Sequence, residues 1–478
     1  MGRTIVAVSI LFAVVFSVGC RSARVIRDPD FARLESGTIR SWESPDPVTE
    51  AMAPDAPQWE GAHPVEDYIA LALNQNPEIH AVRKRIEALA LQVPVAASLQ
   101  DPTLGVTVLP EPVQTAAGQQ EMILSAAQKF PWFGKLAARA SAAEAAANVA
   151  RAELAAKELD TISRVKRAYY ELYYVQQAIK VTQTEQDLLS QIRDVANARY
   201  KAGRVSQQDV LRADLEISDV EKSLIGLQQQ LESRQAALAR LLHISANSNV
   251  LAQDTLPDEI VPRDIDLLQR RAIAARPELH AKLAAIERDR QAVELAQLDY
   301  RPDVTLGLSW IDMSRSGISP VANGRDAFLL SAGVNLPIYR KRLDAAVRSA
   351  EAKIVSTARE YDALKDLTLE QVADLFAQAR SQAELIKLFR GDILPKARQT
   401  LDVSRQAYNV GEVDFLQLID NWRTLLRYEI GLLRLEASLR QTMAELERIV
   451  GGFTGEMQQG IVVPGRAGPP QANRVNAR

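Results

Sequence analysis

The sequence is poor in the residues that cross-link a chain or bind metals. Its single cysteine excludes a disulfide within the chain and a cysteine-based zinc site, and its four histidines lie far apart. Lys and Arg number 57 against 60 Asp and Glu, a balance that argues against a nucleic-acid-binding protein. With 5% aromatic residues and only 22 Gly and 22 Pro, a run of β-domains is not expected. The 47% of hydrophobic residues is enough for a buried core and resembles the composition of long helices.

The N-terminus has the layout of a secretory signal. Arg3 precedes an apolar stretch that is too short for a comfortable transmembrane helix. The segment Ser17-Val18-Gly19-Cys20 resembles a bacterial lipobox, so we expect a signal peptide over 1–19 and a covalent lipid on Cys20. Arg21 stands where an Asp would suggest retention in the inner membrane, so the resemblance favours the outer membrane. An ordinary signal peptide with an incidental cysteine is the alternative.

The two ends of the chain differ from its body. Residues 20–63 are rich in Pro, Ser and Asp without a sustained period, which predicts a lipidated tether along the surface. Residues 451–478 carry many Gly and Pro residues and predict a flexible tail. The function is therefore expected between these segments.

The body contains one pattern twice. Four segments return in the same order, with an offset that grows from 200 to 208 residues. The matched segments are Pro77 to Ala81 with Pro277 to Ala281, Thr103 to Val108 with Thr305 to Trp310, Phe130 to Lys135 with Leu336 to Lys341, and Tyr200 to Gly203 with Tyr408 to Gly411. We predict a first repeat over 64–243, a second over 277–450, and an equatorial connector over 244–276.

Each copy is predicted to contain a helix, two strands, a very long helix, a turn and a second long helix. From Lys135 to Ala202 there is neither Gly nor Pro, so one helix of roughly 100 Å is possible. The opening helix, about 77–99, and the returning helix, about 204–243, together span roughly 95 Å. These two can therefore lie end to end beside the long helix. The helical hairpins are placed at about 132–243 and 338–450.

The returning helix of each copy carries apolar residues at an unbroken three-four spacing, which is typical of a coiled-coil seam. The seam begins at Val210 in the first copy and at Leu418 in the second. Both copies have a polar residue at the same seam position, Arg234 or Thr442. Such a residue can fix the register, or a guanidinium there can lie solvated at the helix edge.

Short alternating strands are predicted in both copies, at about 103–109, 121–129, 303–312 and 326–336. Each strand has one apolar and one polar face, which suits a sheet between lipid and water. A sheet with one face on a protein core is the alternative, although the long helices leave no obvious globular core. Because a bilayer does not tolerate open sheet edges, several chains must contribute strands, and three would supply twelve. The connector inside each strand pair is predicted as an exterior loop.

The duplication, the strand-Pro-helix junctions at Pro131 and Pro337, and the turns at Gly203 and Gly411 resemble the TolC-like family of outer-membrane efflux factors, here of the lipoprotein type. The resemblance covers about residues 64–451. It implies a mainly α chain with a small β part. As a homotrimer, such a chain forms a twelve-stranded β-barrel in outer-membrane lipid and a long α-helical tunnel in the periplasm. It serves as a passive gated exit duct, with a periplasmic adaptor and an inner-membrane efflux pump as partners.

The resemblance also implies roles for the two turns. Their glycines permit the backbone that reverses a helix, so capping is the minimum role. The tips are expected to dock the adaptor through Tyr200, Gly203, Val205, Ser206, Tyr408, Gly411 and Val413. A periplasmic gate is expected at Asp420, which matches an acidic ring position of the family, supplemented by Asp414 and Glu412. Three symmetry-related carboxylates would attract cations and repel one another. Solvated charges on an exposed turn are the alternative.

The second long helix contains Gly391 and Pro395, which have no counterpart in the first. Because Pro removes a helical hydrogen bond, this hairpin is predicted to kink, to curve inward and to move on opening. His80 and His280 occupy equivalent places, and equivalent packing is expected rather than a ring of imidazoles. No metal site and no cofactor are expected apart from the lipid on Cys20.

An enzyme is not expected, because no phosphate loop, nucleophile elbow or metal-binding helix motif is present. Two alternatives to the duct remain, a periplasmic adaptor and a coiled-coil scaffold lipoprotein without a pore. Adaptors have one hairpin inside β-rich domains, whereas two hairpins and four short strands are predicted here. The substrate stays open among metal ions, drugs and proteins, with metal or multidrug efflux favoured.

Overall fold

The structure, a computed structural model, describes residues 28, 30–31, 59, 61–452 and 460–463. Cys20 and the predicted signal peptide lie outside the described residues. The chain divides into two compact units. One contains Ala90–Glu144 and Arg288–Ile354, and it includes the main sheet. The other contains the described parts of Ala53–Leu89, Ala145–Glu287 and Val355–Arg478, and it includes most of the helical residues.

The first copy has the predicted order of elements, with one extra helix at its start. Its elements are β1 (Gly61–His63), α1 (Val65–Gln75), α2 (Pro77–Ala97), β2 (Thr103–Thr115), β3 (Gly118–Phe130), α3 (Lys135–Lys201) and α4 (Gln207–Leu242).

The second copy repeats this order after two short strands. Its elements are β4 (Val250–Ala252), β5 (Glu259–Pro262), α5 (Ile265–Ala275), α6 (Pro277–Leu298), β6 (Val304–Met313), β7 (Ala327–Val334), α7 (Arg340–Leu388), a π-helix (Phe389–Ile393), α8 (Leu394–Val410), α9 (Phe415–Val450) and β8 (Gly460–Val463). β1 pairs with β4, and β8 pairs with β5, within the predominantly helical unit.

The repeated unit begins earlier than Pro77 and Pro277 suggested. Helix α5 lies 200 positions after α1, so the second copy starts at Ile265 rather than at residue 277. The residue before each proline, Asn76 or Arg276, has ψ near 119° or 117°, an extended conformation that ends one helix before the next begins. The connector between the copies is correspondingly shorter than 244–276.

Helix α3 runs for 67 residues without interruption, as the absence of Gly and Pro predicts. Two shorter helices accompany it. Arg83 of α2 pairs with Glu158 of α3 at 3.1 Å, and further along Leu189 and Ile192 of α3 share a buried cluster with Ala213 of α4. Among the described helices, none is both long and apolar enough to cross a membrane.

The predicted seam positions lie in the helical core. Ala213, Val220, Leu425 and Leu439, for example, are all buried. The two polar seam residues differ in their environment. Thr442 is buried, whereas the Arg234 side chain is 46% exposed and lies 3.6 Å from the Glu171 carboxylate. Arg234 is therefore a solvated guanidinium at the helix edge.

The main sheet has four antiparallel strands in the order β2-β3-β6-β7. The first two strands are longer than predicted. In place of the expected loop, Thr115 pairs directly with Gly118 across a two-residue turn. Pro110 and Pro112 fall in the interrupted part of this ladder, on an edge strand, where a missing N–H donor is tolerated.

The register brings the predicted apolar faces of all four strands to one side of the sheet. Val106 pairs with Leu124, Leu124 with Trp310, and Trp310 with Phe328. Directly paired residues project on the same face, so these four side chains form one apolar row. The other face carries small and polar residues such as Ser125 and Ser309, which pair with each other.

Candidate functional site

The candidate site is formed by the two helical turns and the helices next to them, all within the predominantly helical unit. The first turn has Gly203 in a left-handed conformation with φ of 68°. The Arg204 N–H donates to the Arg199 carbonyl at 2.9 Å, and the Gly203 N–H donates to the Tyr200 carbonyl. These bonds satisfy the last carbonyls of α3, as in a glycine C-cap. Ser206 then caps α4 by accepting from the Gln208 N–H.

The second turn repeats this geometry 208 residues later. Gly411 has φ of 90°, and the Glu412 N–H donates to the Ala407 carbonyl at 2.9 Å. Asp414 caps α9, because its Oδ1 accepts from the Gln417 N–H at 2.8 Å. Asp414 and Ser206 are thus equivalent residues with the same local role. The predicted gate carboxylate of Asp414 is already engaged in capping its own helix.

The two turns are joined through Tyr408. The Arg199 guanidinium lies over the Tyr408 ring, 4.6 Å from its centroid, and the Phe415 ring of α9, in the same copy as Tyr408, lies 5.6 Å away. The Tyr408 hydroxyl donates to Asp209 of α4 at 3.4 Å. Burial raises the pKa of Tyr408 to about 12, and the nearby Asp209 carboxylate adds to the shift. The phenol therefore stays neutral.

Tyr408 does not have the exposure expected of a docking residue. It is only 2% exposed, whereas its repeat equivalent Tyr200 is 41% exposed. The difference arises because Arg199 and Asp209 enclose Tyr408 from the first copy. Among the other predicted tip residues, Gly203, Ser206 and Gly411 are exposed, and Val205 and Val413 are half-buried. Tyr408 is thus a packing residue between the turns rather than part of their surface.

A second contact between the copies lies about two helical turns further from the turns. Arg423 of α9 donates from Nε to the Glu216 carboxylate of α4 at 3.0 Å, and its Nη2 contacts the other carboxylate oxygen. The hydrogen bond with Glu216, together with the nearby Asp420 and Asp219 carboxylates, raises the pKa of Arg423. Asp420, the gate candidate, is exposed on α9 beside this guanidinium.

A buried carboxylate, Glu185, lies in α3 opposite α9. Only 6% of Glu185 is exposed, and its neighbours include Trp422 and Glu429. Burial raises the pKa of Glu185 to about 7, and repulsion from Glu429 adds to the shift. The Glu429 carboxylate itself binds Arg398 of α8 at 2.7 Å. This group of charges links three helices, and within it Glu185 is the carboxylate whose pKa lies near neutral pH.

At Gly391 and Pro395, where the sequence predicts a kink, the helix contains a π-helix over Phe389–Ile393. The Leu394 N–H donates to the Phe389 carbonyl five residues back, a π-type bond. Pro395 follows at the start of α8, where its missing N–H is tolerated. The bulge is held by Phe389, which packs edge-on against Tyr428, and by Arg390, which binds the buried Glu436 at 2.7 Å.

The two histidines make one equivalent contact. His80 Nε2 lies 2.7 Å from the Asn74 carbonyl oxygen, and His280 Nε2 lies 2.9 Å from that of Ala274. Among the described residues, no group of three or more His, Cys, Asp and Glu side chains could hold a metal ion.

Sequence reasoning missed Arg199, Asp209, Glu185 and the Glu216–Arg423 pair. The turn glycines were visible because their conformation is local. The missed residues lie on helices that are distant in sequence, and their only visible signal was a polar residue close to a predicted turn.

A family model described as "Outer membrane efflux protein" matches residues 68–242 and 268–452, one block in each copy. The chain belongs to the outer membrane efflux protein family. This confirms the predicted family and its assignment to outer-membrane efflux.

Relatives match over most of their length. The cobalt-zinc-cadmium resistance protein CzcC of Cupriavidus metallidurans is 24% identical, over 88% of this chain and 96% of CzcC. The pyoverdine export outer membrane protein OpmQ of Pseudomonas putida is 21% identical, over 86% of this chain and 91% of OpmQ.

Solved structures share the fold. A structure of CusC superposes with a TM-score of 0.70 at 18% identity, covering 84% of this chain and 98% of CusC. The outer membrane protein VceC of Vibrio cholerae has a TM-score of 0.67 at 22% identity, covering 81% and 96%. The mainly α fold with a small β part is therefore confirmed.

Proposed function

We propose that the chain is the outer-membrane channel of a tripartite efflux system. It acts as a passive gated duct for substrates that an inner-membrane pump and a periplasmic adaptor deliver. One observation carries the proposal: the four-stranded sheet is apolar on one face and open at both edges. Such a sheet is not tolerated alone in a bilayer, and three copies supply the twelve strands of a closed barrel. The family match supports the same function.

We propose that the chain is anchored by a lipid on Cys20 as well as by the barrel. The lipobox-like segment before Cys20 supports this attachment. The mass of the N-terminal peptide from the mature protein tests it. A diacylglyceryl and acyl modification on Cys20 is expected, and a Cys20→Ser variant should lack it while its barrel still inserts. An unmodified N-terminus elsewhere would contradict the anchor.

We propose that the exposed surface of the two turns docks the adaptor. In addition to the exposed Tyr200, the helices beside the turns expose apolar side chains. Val410 is 73% exposed, Leu211 59%, Leu215 62% and Leu416 54%. Apolar side chains surrounding a polar turn are suited to a helical partner. Tyr408 contributes indirectly, because it fixes the two turns relative to each other.

We propose that Asp420 forms the periplasmic gate when three copies surround one axis. Its exposure on α9 leaves the carboxylate available, and Arg423 beside it limits the net repulsion. Divalent cations should then reduce the channel current. An Asp420→Asn variant is expected to lose this block, while Glu232→Gln, an exposed carboxylate on α4, should keep it. An unchanged block in Asp420→Asn would contradict the gate.

We propose that the partner pump selects the substrate. The relatives support this, because one is named for metal resistance and another for pyoverdine export although both match this chain over most of their length. Expression of the chain with pumps of different classes in a strain without its own channel tests the idea. Restored resistance should follow the pump rather than the channel.

The central experiment is purification of the full chain from outer membranes. We expect heat-resistant trimers in detergent and single-channel conductance in planar bilayers. A compact monomer that never conducts ions would exclude the duct.

A further inference from the structure

Among the described strands, the sheet of one chain ends in two edges, β2 and β7, that pair with no further strand. Side chains along both edge strands are largely exposed, for example Leu104 at 70% and Leu330 at 85%. Each edge presents a row of backbone N–H and C=O groups, and such a row pairs readily with another strand.

The duplication supplies a template for that pairing inside the chain itself. Strands β3 and β6 come from different copies and form an antiparallel seam, in which Ala127 pairs with Gly307. The first strands of the two copies, β2 and β6, are offset by 202 residues in sequence. Their hairpin registers, Thr103 with Ala127 and Thr305 with Gly333, set the offset of the second strands at 206. The edge strand β7 is thus the counterpart of β3, and β2 is the counterpart of β6.

The internal seam ends in a buried ion pair. The Lys135 ammonium, at the start of α3, donates to the Asp303 carboxylate at 2.8 Å, just before β6. Lys129 lies 3.1 Å from the same carboxylate, and the Trp132 N–H donates to it at 3.1 Å. Lys135 and Asp303 are 3% and 6% exposed. The pair therefore joins the two copies where sheet and helix meet.

The counterparts of this ion pair lie at the two open edges. By the same offsets, Asp303 corresponds to Asp101 and Lys135 corresponds to Lys341, so both charges are retained at the equivalent positions. Asp101 and Lys341 are exposed. Neither has an ion pair or a side-chain hydrogen bond with any residue of the described ranges. The charges that close the internal seam are present at both edges without their partner.

We propose that β7 of one chain pairs with β2 of a second copy in the register of the internal seam, closed by an ion pair between Lys341 and Asp101 of the partner subunit. Gly333 then faces Gly105 of the partner subunit, and Ala332 faces Val106 of the partner subunit. The inference rests on the proposed function, since the occupant of the edge is another copy of this chain. Repeating the contact three times closes the barrel.

Two constraints select this register. A slip by one residue turns the apolar face of β7 against the polar face of β2, because side chains alternate along a strand. A slip by two residues keeps the faces but moves the strand ends apart by about 6.8 Å, which breaks the ion pair. Only the seam register satisfies both.

Cysteine cross-linking of the full chain in membranes tests the register. The pair Val106→Cys with Ala332→Cys should give covalent trimers that a reductant separates. The off-register pair Val108→Cys with Ala332→Cys should give about tenfold less, because diagonal neighbours exceed the Cα separation that a disulfide allows. Ala126→Cys with Leu308→Cys, paired within one chain, should close without joining subunits. Each variant with a single introduced cysteine shows how much cross-linking involves the native Cys20.

Charge reversal tests the ion pair. Asp101→Lys and Lys341→Asp should each reduce the heat-resistant trimer about tenfold, and the double reversal should restore it. Equal loss in all three variants would overturn the ion pair. Two results would overturn the register but leave the duct intact. In the first, conducting trimers cross-link only through the off-register pair. In the second, conducting trimers cross-link through neither pair although the intrachain pair closes. A protein that neither assembles nor conducts would instead overturn the proposed function.

Discussion

Arg423 of α9 binds the Glu216 carboxylate of α4 through two hydrogen bonds, although 207 residues separate them. Glu216 is buried at 8% exposure, whereas 47% of the Arg423 side chain is exposed. The pair joins the returning helices of the two copies. Its strength should therefore control how readily the second hairpin separates from the first.

Replacing Arg423 tests this connection. Arg423→Gln leaves the Glu216 carboxylate without its cation, and we expect a loss of about 1–2 kcal/mol in the free energy of unfolding, reduced by solvent screening of the exposed guanidinium. The open probability of single channels should rise. Lys222→Gln is the control, because Lys222 is 83% exposed and its one ion pair within the described residues is with Asp219 of its own helix. An open probability unchanged from wild type would argue against the connection.

Gly411 and Gly391 should respond oppositely to the same change. Gly411→Ala places a Cβ in the left-handed conformation and 3.2 Å from Arg199 Nη2, so a loss of about 1–2 kcal/mol is expected. A Cβ on Gly391 meets nothing within 4 Å, so Gly391→Ala should be neutral or stabilising. Chemical denaturation followed by helical circular dichroism measures both. Equal destabilisation of the two variants would show that the conformation at Gly411 is not the cause.

Tyr408 should matter through its ring more than through its hydroxyl. The hydroxyl lies 3.4 Å from Asp209, a long hydrogen bond, so Tyr408→Phe is expected to cost less than about 1 kcal/mol. Tyr408→Ala empties a buried site and should cost about 3–5 kcal/mol.

The equivalent Tyr200 is the control for both changes. Because it is 41% exposed, Tyr200→Ala should alter the free energy of unfolding by no more than about 0.5 kcal/mol. A large loss there would indicate that the two turns are more alike than their packing suggests.

The buried Glu185 predicts a loss of stability toward neutral pH. Its folded pKa of about 7 exceeds its usual value of 4.5, so the protonated form is favoured in the folded state. The stabilisation is complete below about pH 4.5 and is lost as pH rises through about 7. Glu185→Gln should remove this dependence and be more stable than wild type at pH 8, by at most about 3 kcal/mol.

Two other carboxylates also affect how the free energy of unfolding depends on pH. Glu259, whose pKa burial also raises to about 7, leaves a residual slope in the variant. Burial opposes ionisation of Glu171, but hydrogen bonds from Arg434 and Gln441 outweigh it and lower the pKa. Glu171→Gln should therefore destabilise the protein at pH 8, opposite to Glu185→Gln. A Glu185→Gln profile identical to that of wild type would contradict the assignment.

Features that depend on neighbouring residues were predictable from the sequence. The absence of Gly and Pro between Lys135 and Ala202 predicted an uninterrupted helix, and α3 runs over 67 residues. Gly203 and Gly411 predicted reversals, since a left-handed backbone is a local requirement. The alternation along the strands predicted which side chains share a face, because strand geometry has a period of two residues.

Features that depend on the meeting of distant segments were not predictable. Gly391 and Pro395 predict a kink but not the π-helix over Phe389–Ile393, in which Phe389 packs on Tyr428 of a helix distant in sequence. The helix Ile265–Ala275 falls in the predicted connector 244–276, and the helix Val65–Gln75 falls within the predicted first repeat without being recognised as a separate helix, because each proline marks a boundary without saying what precedes it.

The duplication, the long helices, the strands and the family resemblance can be read from the sequence alone, because each depends on residues that are close along the chain or repeated at a nearly constant offset. The burial of Tyr408 against the exposure of Tyr200 follows from the folded structure and not from the sequence. The same holds for the ion pair between Asp303 and Lys135, whose counterparts Asp101 and Lys341 are exposed. Equivalent residues of a duplicated chain have the same local propensities. Their environments differ because one copy meets the other within the chain, whereas the outer edges of the pair remain open.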